Sequence, residues 1–305
     1  MITAAMVKEL REITSAGMLD CQKALKETNG DMDKAIEFLR EKGLATAAKK
    51  AGRIASEGIV KAYLTDDKKV GVLLEVNSET DFVAKNEEFQ AFVGDVAKLI
   101  ADKNPTDVEA LKALEYNGET VGSAFTALIA KIGENMNIRR FTRVAGNVCS
   151  YTHGGGRIGV IVEAETATVN DDVKEALTNV AMQIAALNPK YVSTDEVSEE
   201  YKAHEKEILT EQIKNDPKMA GKPDKVIEGA VNGRLAKELK EVCLLEQAYV
   251  KAEDGKQTVK AYIDAVAKAN GTDINVKRFV RFETGEGIEK KEENFAEEVA
   301  KQMGM

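Results

Sequence analysis

The chain has 305 residues, 43% of them apolar and 31% charged, with a formal net charge of -9. That length holds two or three domains with cores of their own, and the composition is that of a globular protein. The acidic balance, the absence of Trp and an aromatic content of 5% argue against a general nucleic-acid binder, which needs basic surface to neutralise phosphates and rings on which bases stack.

The opening segment, MITAAMVKELREI, sets charged and apolar residues at helical spacing and has no apolar stretch like that of a signal peptide. No apolar run approaches the roughly 18 residues of a membrane span. The expectation is a cytoplasmic protein with no membrane partner. Cys21, Cys149 and Cys243 form no CxxC pair and read as small buried hydrophobes of a reducing compartment.

Residues 1–54 read as three short helices, a small module. Val7, Leu10 and Ile13 share a face of the first helix, and Thr14-Ser15-Ala16-Gly17 breaks it. The second runs from Met18 to Glu27 and stops at Asn29-Gly30, a helix C-terminal signal. Asp31 caps the third, which buries Ala35, Ile36 and Leu39 and ends near Gly43. A basic stretch with Lys49, Lys50 and Arg53 follows.

The middle of the chain repeats itself. Tyr63 is followed eight residues later by Gly71-Val-Leu-Leu-Glu-Val76, and Tyr151 eight residues later by Gly159-Val-Ile-Val-Glu-Ala164. The offset is 88, and both stretches read as β-hairpins. Asn137-Ile-Arg-Arg-Phe-Thr-Arg-Val144 matches Asn275-Val-Lys-Arg-Phe-Val-Arg-Phe282 at an offset of 138, with the alternation of half-buried strands. Two related α/β units with antiparallel sheets follow: 55–148, and 149–190 continued by 241–282. The second is longer by 138 − 88 = 50 residues, which implies an insertion, and the chain turns charged and helical from about 191 to 240. There Val197, Tyr201, His204 and Ile208 step as a coiled-coil seam, a breaker-rich turn spans Asn215 to Pro223, and Ile227, Val231, Leu235 and Leu239 recur every four residues. This is a projecting helical hairpin. The tail, 283–305, carries Phe295 and Val299 four apart on a short amphipathic helix. The fold class is therefore α+β, with a helical module at each end and a coiled-coil insertion.

Residues 154–159, Gly-Gly-Gly-Arg-Ile-Gly, match GxGxxG formally, but the next residues continue as a strand. A dinucleotide site needs a helix there, facing the phosphates, so this is a glycine-rich turn. No GxxxxGK[ST] phosphate loop occurs, so no nucleotide binds the chain directly. His153 and His204 have no metal partner at ligand spacing. No nucleophile–base arrangement is present, so an enzyme reading has no site, and no cofactor or metal is expected. The remaining candidate is Thr80-Asp81-Phe82-Val83, just after a strand. Thr80 can cap a helix opening with Asp81 at its positive end. Phe82 then either packs into its own core or projects from it; the pattern admits both.

Several blocks together resemble the elongation factor Ts family: Met18-Leu-Asp-Cys-Gln-Lys-Ala-Leu25, Asn29-Gly-Asp31, Thr80-Asp-Phe-Val-Ala-Lys85, Lys131-Ile-Gly-Glu-Asn135, the His153-Gly hairpin and Gly285-Glu-Gly-Ile-Glu289. They fall in that family's order along nearly the whole chain. The resemblance implies an N-terminal ubiquitin-associated-like domain, a core of two repeated subdomains, an inserted coiled coil and a C-terminal module. It implies a guanine nucleotide exchange factor without covalent chemistry, whose partner is elongation factor Tu. Asp81 and Phe82, within Thr80–Val83, are implied to enter the partner's GTPase domain near its Mg²⁺ site, and Ile132 and Gly133 to line the same contact. Met18 and Leu19 are implied to touch the GTPase domain, although they fit the core of their own small domain equally well. His153's hairpin is implied to approach the rest of the partner. Two rival readings remain: a ubiquitin-associated-type binding module without exchange activity, which leaves most of the chain unexplained, and a small-molecule enzyme built on the glycine-rich hairpin.

Overall fold

A computed structural model describes residues 2–14, 16–219 and 221–289. The three N-terminal helices are α1 (Ala4–Thr14), α2 (Met18–Glu27) and α3 (Met32–Lys50). They enclose Val7, Leu10, Cys21, Ala24, Leu25 and Ala35. Asn29 is left-handed (φ 55°), and the Gly30 N–H reaches back to the Leu25 carbonyl at 2.8 Å, which closes α2. Asp31 caps α3 by accepting from the Lys34 N–H at 3.1 Å. Two expectations fail here. Ile13 is 55% exposed, since Val7 and Leu10 already fill this small core. Helix α3 does not end near Gly43 but continues to Lys50. Gly43 is buried, and a Cβ there would lie 3.7 Å from the Cβ of Ala130. The glycine is thus where α3 lies closely against α7 (Val121–Ile132), and packing outweighs its low helix propensity.

Two three-stranded antiparallel sheets form the middle of the molecule. One has the order β1-β2-β5, with β1 Glu57–Leu64, β2 Val70–Ser78 and β5 Met136–Ala145; the other has the order β6-β7-β8, with β6 Asn147–His153, β7 Ile158–Glu165 and β8 Asn275–Glu283. The repeat holds at the level of register. Tyr63 faces Val72, and Tyr151 faces Val160; Leu74 faces Phe141, and Val162 faces Phe279. Both sheets also shift register at one place, between Glu75 and Val76 and between Glu163 and Ala164.

The apolar runs of β2 and β7 are continuous because both faces of each strand are covered. Val72, Leu74 and Val76 point to α5 (Glu87–Lys103) and α7, while Val160, Val162 and Ala164 point to α8 (Asp171–Leu187) and α11 (Val259–Ala269). The alternate residues Leu73 and Ile161 join Val60, Val144, Val148 and Phe282 between the sheets. The result is four layers: helices, sheet, sheet, helices. The second glycine of the repeated pair has its reason here. A Cβ on Gly159 would lie 2.5 Å from Val60 Cγ1, so only glycine lets the sheets approach this closely.

The helices repeat as well. α5 and α8 are capped by Asn86 and Asn170 and closed by left-handed Asn104 and Asn188, all at an offset of 84. α7 and α11 are capped by Thr120 and Thr258, at an offset of 138. Between these markers the first unit has α6 (Val108–Lys112) and a tight hairpin, β3 (Glu115–Tyr116) with β4 (Glu119–Thr120). The second unit instead has the helical hairpin of α9 (Glu199–Lys214) and α10 (Asp224–Val242).

The ends of that insertion meet. The Leu244 N–H donates to the Tyr191 carbonyl at 2.9 Å, and the Lys190 N–H to that of Val242 at 2.8 Å. Its seam holds Leu209 and Ile213 against Val231 and Leu235, flanked by Ile227 and Leu239. The expected seam was wrong on the first helix. Val197 is buried but precedes α9, and starting the heptad from it puts His204 and Ile208 in the seam, whereas both are exposed. The expected tail helix, with Phe295 and Val299, lies outside the described residues.

Candidate functional site

The four-residue drop in offset, from 88 at Glu75/Glu163 to 84 at Asn86/Asn170, means that the first unit carries four extra residues between strand and helix. They correspond in number to one helical turn, α4 (Asp81–Ala84), which the second unit lacks. Val83 is buried in the first core, whereas its neighbour Phe82 is 78% exposed. The core reading of Phe82 is thereby excluded. Asp81 is exposed and bonds the Lys85 ammonium at 2.7 Å, which holds its carboxyl below the usual range. The same ammonium lies 5.8 Å from the centre of the Phe82 ring.

Thr80 has the extended backbone of an N-cap, but its side chain makes no cap bond. Its N–H and hydroxyl donate instead to the two carboxylate oxygens of Glu134, at 3.0 and 2.7 Å. Glu134 follows Ile132 and Gly133, so the two sequence blocks that were picked out separately are joined in space. Ile132 is half-buried against the first core. Gly133 closes α7 with φ 86°, and its Cβ direction is open, with nothing within 4 Å.

Met18 and Leu19 are 59% and 80% exposed on α2, so they are not core residues of the small module. His153 is exposed at the end of β6, its Nδ1 3.0 Å from the Tyr151 hydroxyl. The following turn rests on the first sheet, where the Val60 N–H donates to the Gly156 carbonyl at 2.7 Å. Among the described residues, no hydrogen bond or ion pair joins Met18, Leu19 or His153 to α4. No group of three His, Cys, Asp or Glu among them is placed to hold a metal ion, and no helix is long and apolar enough to cross a membrane. No role was read for Glu79 and Glu134, which hold the turn; their only signal was position, Glu134 within the Lys131–Asn135 block and Glu79 directly before Thr80.

The family model described as Elongation factor TS matches residues 79–286. The chain belongs to the elongation factor Ts family. Elongation factor Ts of Clostridioides difficile (strain 630) is 55% identical over 305 residues, covering 99% of both chains. Elongation factor Ts of Clostridium botulinum (strain Eklund 17B / Type B) and that of Clostridium perfringens (strain SM101 / Type A) are each 54% identical over 308 residues, covering 100% of both chains. The elongation factor Ts match begins at Glu79, next to the tethered Thr80, and takes in α4, Ile132, Gly133 and His153.

Proposed function

We propose that this chain is a guanine nucleotide exchange factor that binds elongation factor Tu carrying GDP and promotes release of the GDP. The observation that carries this reading is Phe82: a large apolar ring, 78% exposed, on a helical turn that one repeat has and the other lacks. Tu-type GTPases hold GDP through Mg²⁺ and a phosphate-cradling loop. Phe82 supplies apolar area for a wedge beside that Mg²⁺ site, and Asp81 brings negative charge to it. Thr80 and the buried Val83 hold the turn; Ile132 and Gly133 extend the contact.

Met18, Leu19 and His153 act as outlying contacts with the partner. The factor itself binds no nucleotide and makes no covalent bond. Because it favours the nucleotide-free partner, GDP and GTP weaken its binding in return, and the nucleotide in excess fills the emptied site. On this reading the protein works in the cytoplasm, and its units are residues 1–54, 55–148, 149–190 with 241–282, 191–240, and 283–305. The test is release of fluorescent GDP from elongation factor Tu with and without the chain. Unchanged release would refute the reading.

A further inference from the structure

The turn bearing Asp81 and Phe82 is held from outside its own helix. Four residues are too few for a helix to hold itself. Val83 is buried in the core, Ala84 packs at its edge and the Gln90 side-chain amide donates to the Ala84 carbonyl at 2.8 Å, which leaves the start of the turn, at Thr80, to be held by other contacts. The Glu134 carboxylate takes both donors of Thr80, N–H and hydroxyl, at 3.0 and 2.7 Å. The neighbouring residues complete a reciprocal pair, the Asn135 N–H donating to Glu79 Oε1 at 2.5 Å. Two dipeptides, Glu79-Thr80 and Glu134-Asn135, thus clasp each other. A carboxylate gripped at both oxygens fixes orientation as well as position.

The clasp continues to the N-terminal helices. Arg53 lies 3.4 Å from Glu79 Oε1, the Asn135 side-chain amide donates to the Arg53 carbonyl at 2.7 Å, and the Lys50 ammonium bonds the Gly133 carbonyl.

We propose that Glu134 is a positioning residue for Phe82: it touches no partner group itself but keeps the turn in the presenting conformation before the partner arrives. This inference rests on the exchange-factor reading and adds to it. An exposed aromatic ring on an untethered turn must be ordered on binding, and that ordering is lost from the interaction. With the clasp in place the ordering is already complete.

The test measures GDP release from elongation factor Tu, and melting temperature, for wild type, Glu134→Ala, Glu134→Gln, Phe82→Ala and the Glu134→Ala/Phe82→Ala double variant. Glu134→Ala is expected to slow release about tenfold, the scale of one charged hydrogen bond lost from the barrier. Glu134→Gln should recover most of the rate, because its amide oxygen accepts the Thr80 N–H while its amide group donates to the hydroxyl oxygen. The double variant should be no slower than Phe82→Ala alone, since Glu134 acts only through the ring.

Multiplying effects, or full activity of Glu134→Ala beside a slow Phe82→Ala, would overturn the inference and leave the exchange-factor reading standing. Full activity of Phe82→Ala would overturn the wedge and this inference together. Should Glu134→Ala melt too low to assay, Thr80→Val keeps the carboxylate, removes the hydroxyl donor and must couple to Phe82→Ala in the same way.

Discussion

The two sheets share a register, a bulge and a pair of helices, yet each unit carries elements the other lacks. The first unit has α4, with Phe82 projecting from it; the second has the α9–α10 hairpin. Even one repeated residue has diverged in environment. Glu75 and Glu163 sit at the same bulge, and each pairs with the repeated arginine of its own closing strand, Arg140 at 2.5 Å and Arg278 at 2.6 Å. Glu163 does so from a half-buried position open to solvent on one side, with an Arg278 side chain that is more than half exposed. Glu75 is fully buried and accepts in addition from Arg139 at 2.9 Å and from the Gly285 N–H at 2.9 Å. The lesson is that the repeat preserves backbone geometry, while what covers a position decides whether it is structural, solvated or available to a partner.

The largest test of that contrast is Glu75→Ala. It removes the buried acceptor shared by two guanidiniums, the Asn77 amide and a backbone N–H, and stability should fall by about 3 kcal/mol, the lower part of the range for a broken buried pair. Denaturant unfolding would show it. The pH dependence follows from the same site. Burial alone would raise the Glu75 carboxyl, but the Gly285 N–H and the Arg140 and Arg139 guanidiniums outweigh it and hold the carboxyl below its ordinary value. A folded value below the unfolded one means that its contribution is present above about pH 4 and is lost as pH falls through the depressed folded value. Acid titration of stability should therefore be shallower in Glu75→Gln than in wild type.

Next in size is Phe82→Ala. An exposed ring contributes little to folding, so stability should change by less than about 0.5 kcal/mol. A loss of about 1.4 kcal/mol from the exchange barrier would slow GDP release tenfold. A buried Phe such as Phe89 would invert that pattern and cost about 3–5 kcal/mol of stability on truncation. Glu163→Ala, the counterpart of the first variant, should cost under about 1 kcal/mol, as surface pairs do; equal losses at 75 and 163 would erase the contrast. The smallest effect on the sheets is expected from replacing residues 191–240 by a short linker. The hairpin has its own seam and its ends are already hydrogen-bonded to each other. The shortened protein should keep the unfolding transition of the two sheets and still accelerate GDP release, and loss of that transition would show that the hairpin belongs to the core.

Much of this architecture was legible in the chain because the repeat is written as side-chain pattern: GVLLEV and GVIVEA are strands covered on both faces, the excess between offsets of 88 and 138 gave the length of the insertion, and the charged helical stretch at 191–240 gave its place. The misreadings came where tertiary contact overrode a local rule. Gly43 looks like a helix end until Ala130 is set against it. Val197 looks like the start of a seam because it is apolar at the right spacing, although α9 begins after it. At the site, the pattern left Phe82 open between core and surface, and it was the resemblance that singled out Asp81 and Phe82. The Thr80–Glu134 clasp could not be read from either block, since its partners are 54 residues apart and nothing local pairs them.

Gly285 lies so close to Ser56 that a Cβ on it would fall 2.0 Å from the Ser56 carbonyl oxygen, and Glu75 grips the Gly285 N–H from the other side. The point where the chain enters the paired sheets therefore touches the point where it leaves them. In connectivity the core is a ring interrupted at a single seam, and chains whose ends adjoin tolerate circular permutation. Sealing residue 285 to residue 56 with a few glycines and opening the exposed turn at Gly118 would preserve both sheets and their layers, while the N-terminal helices could be moved or removed without cutting a strand.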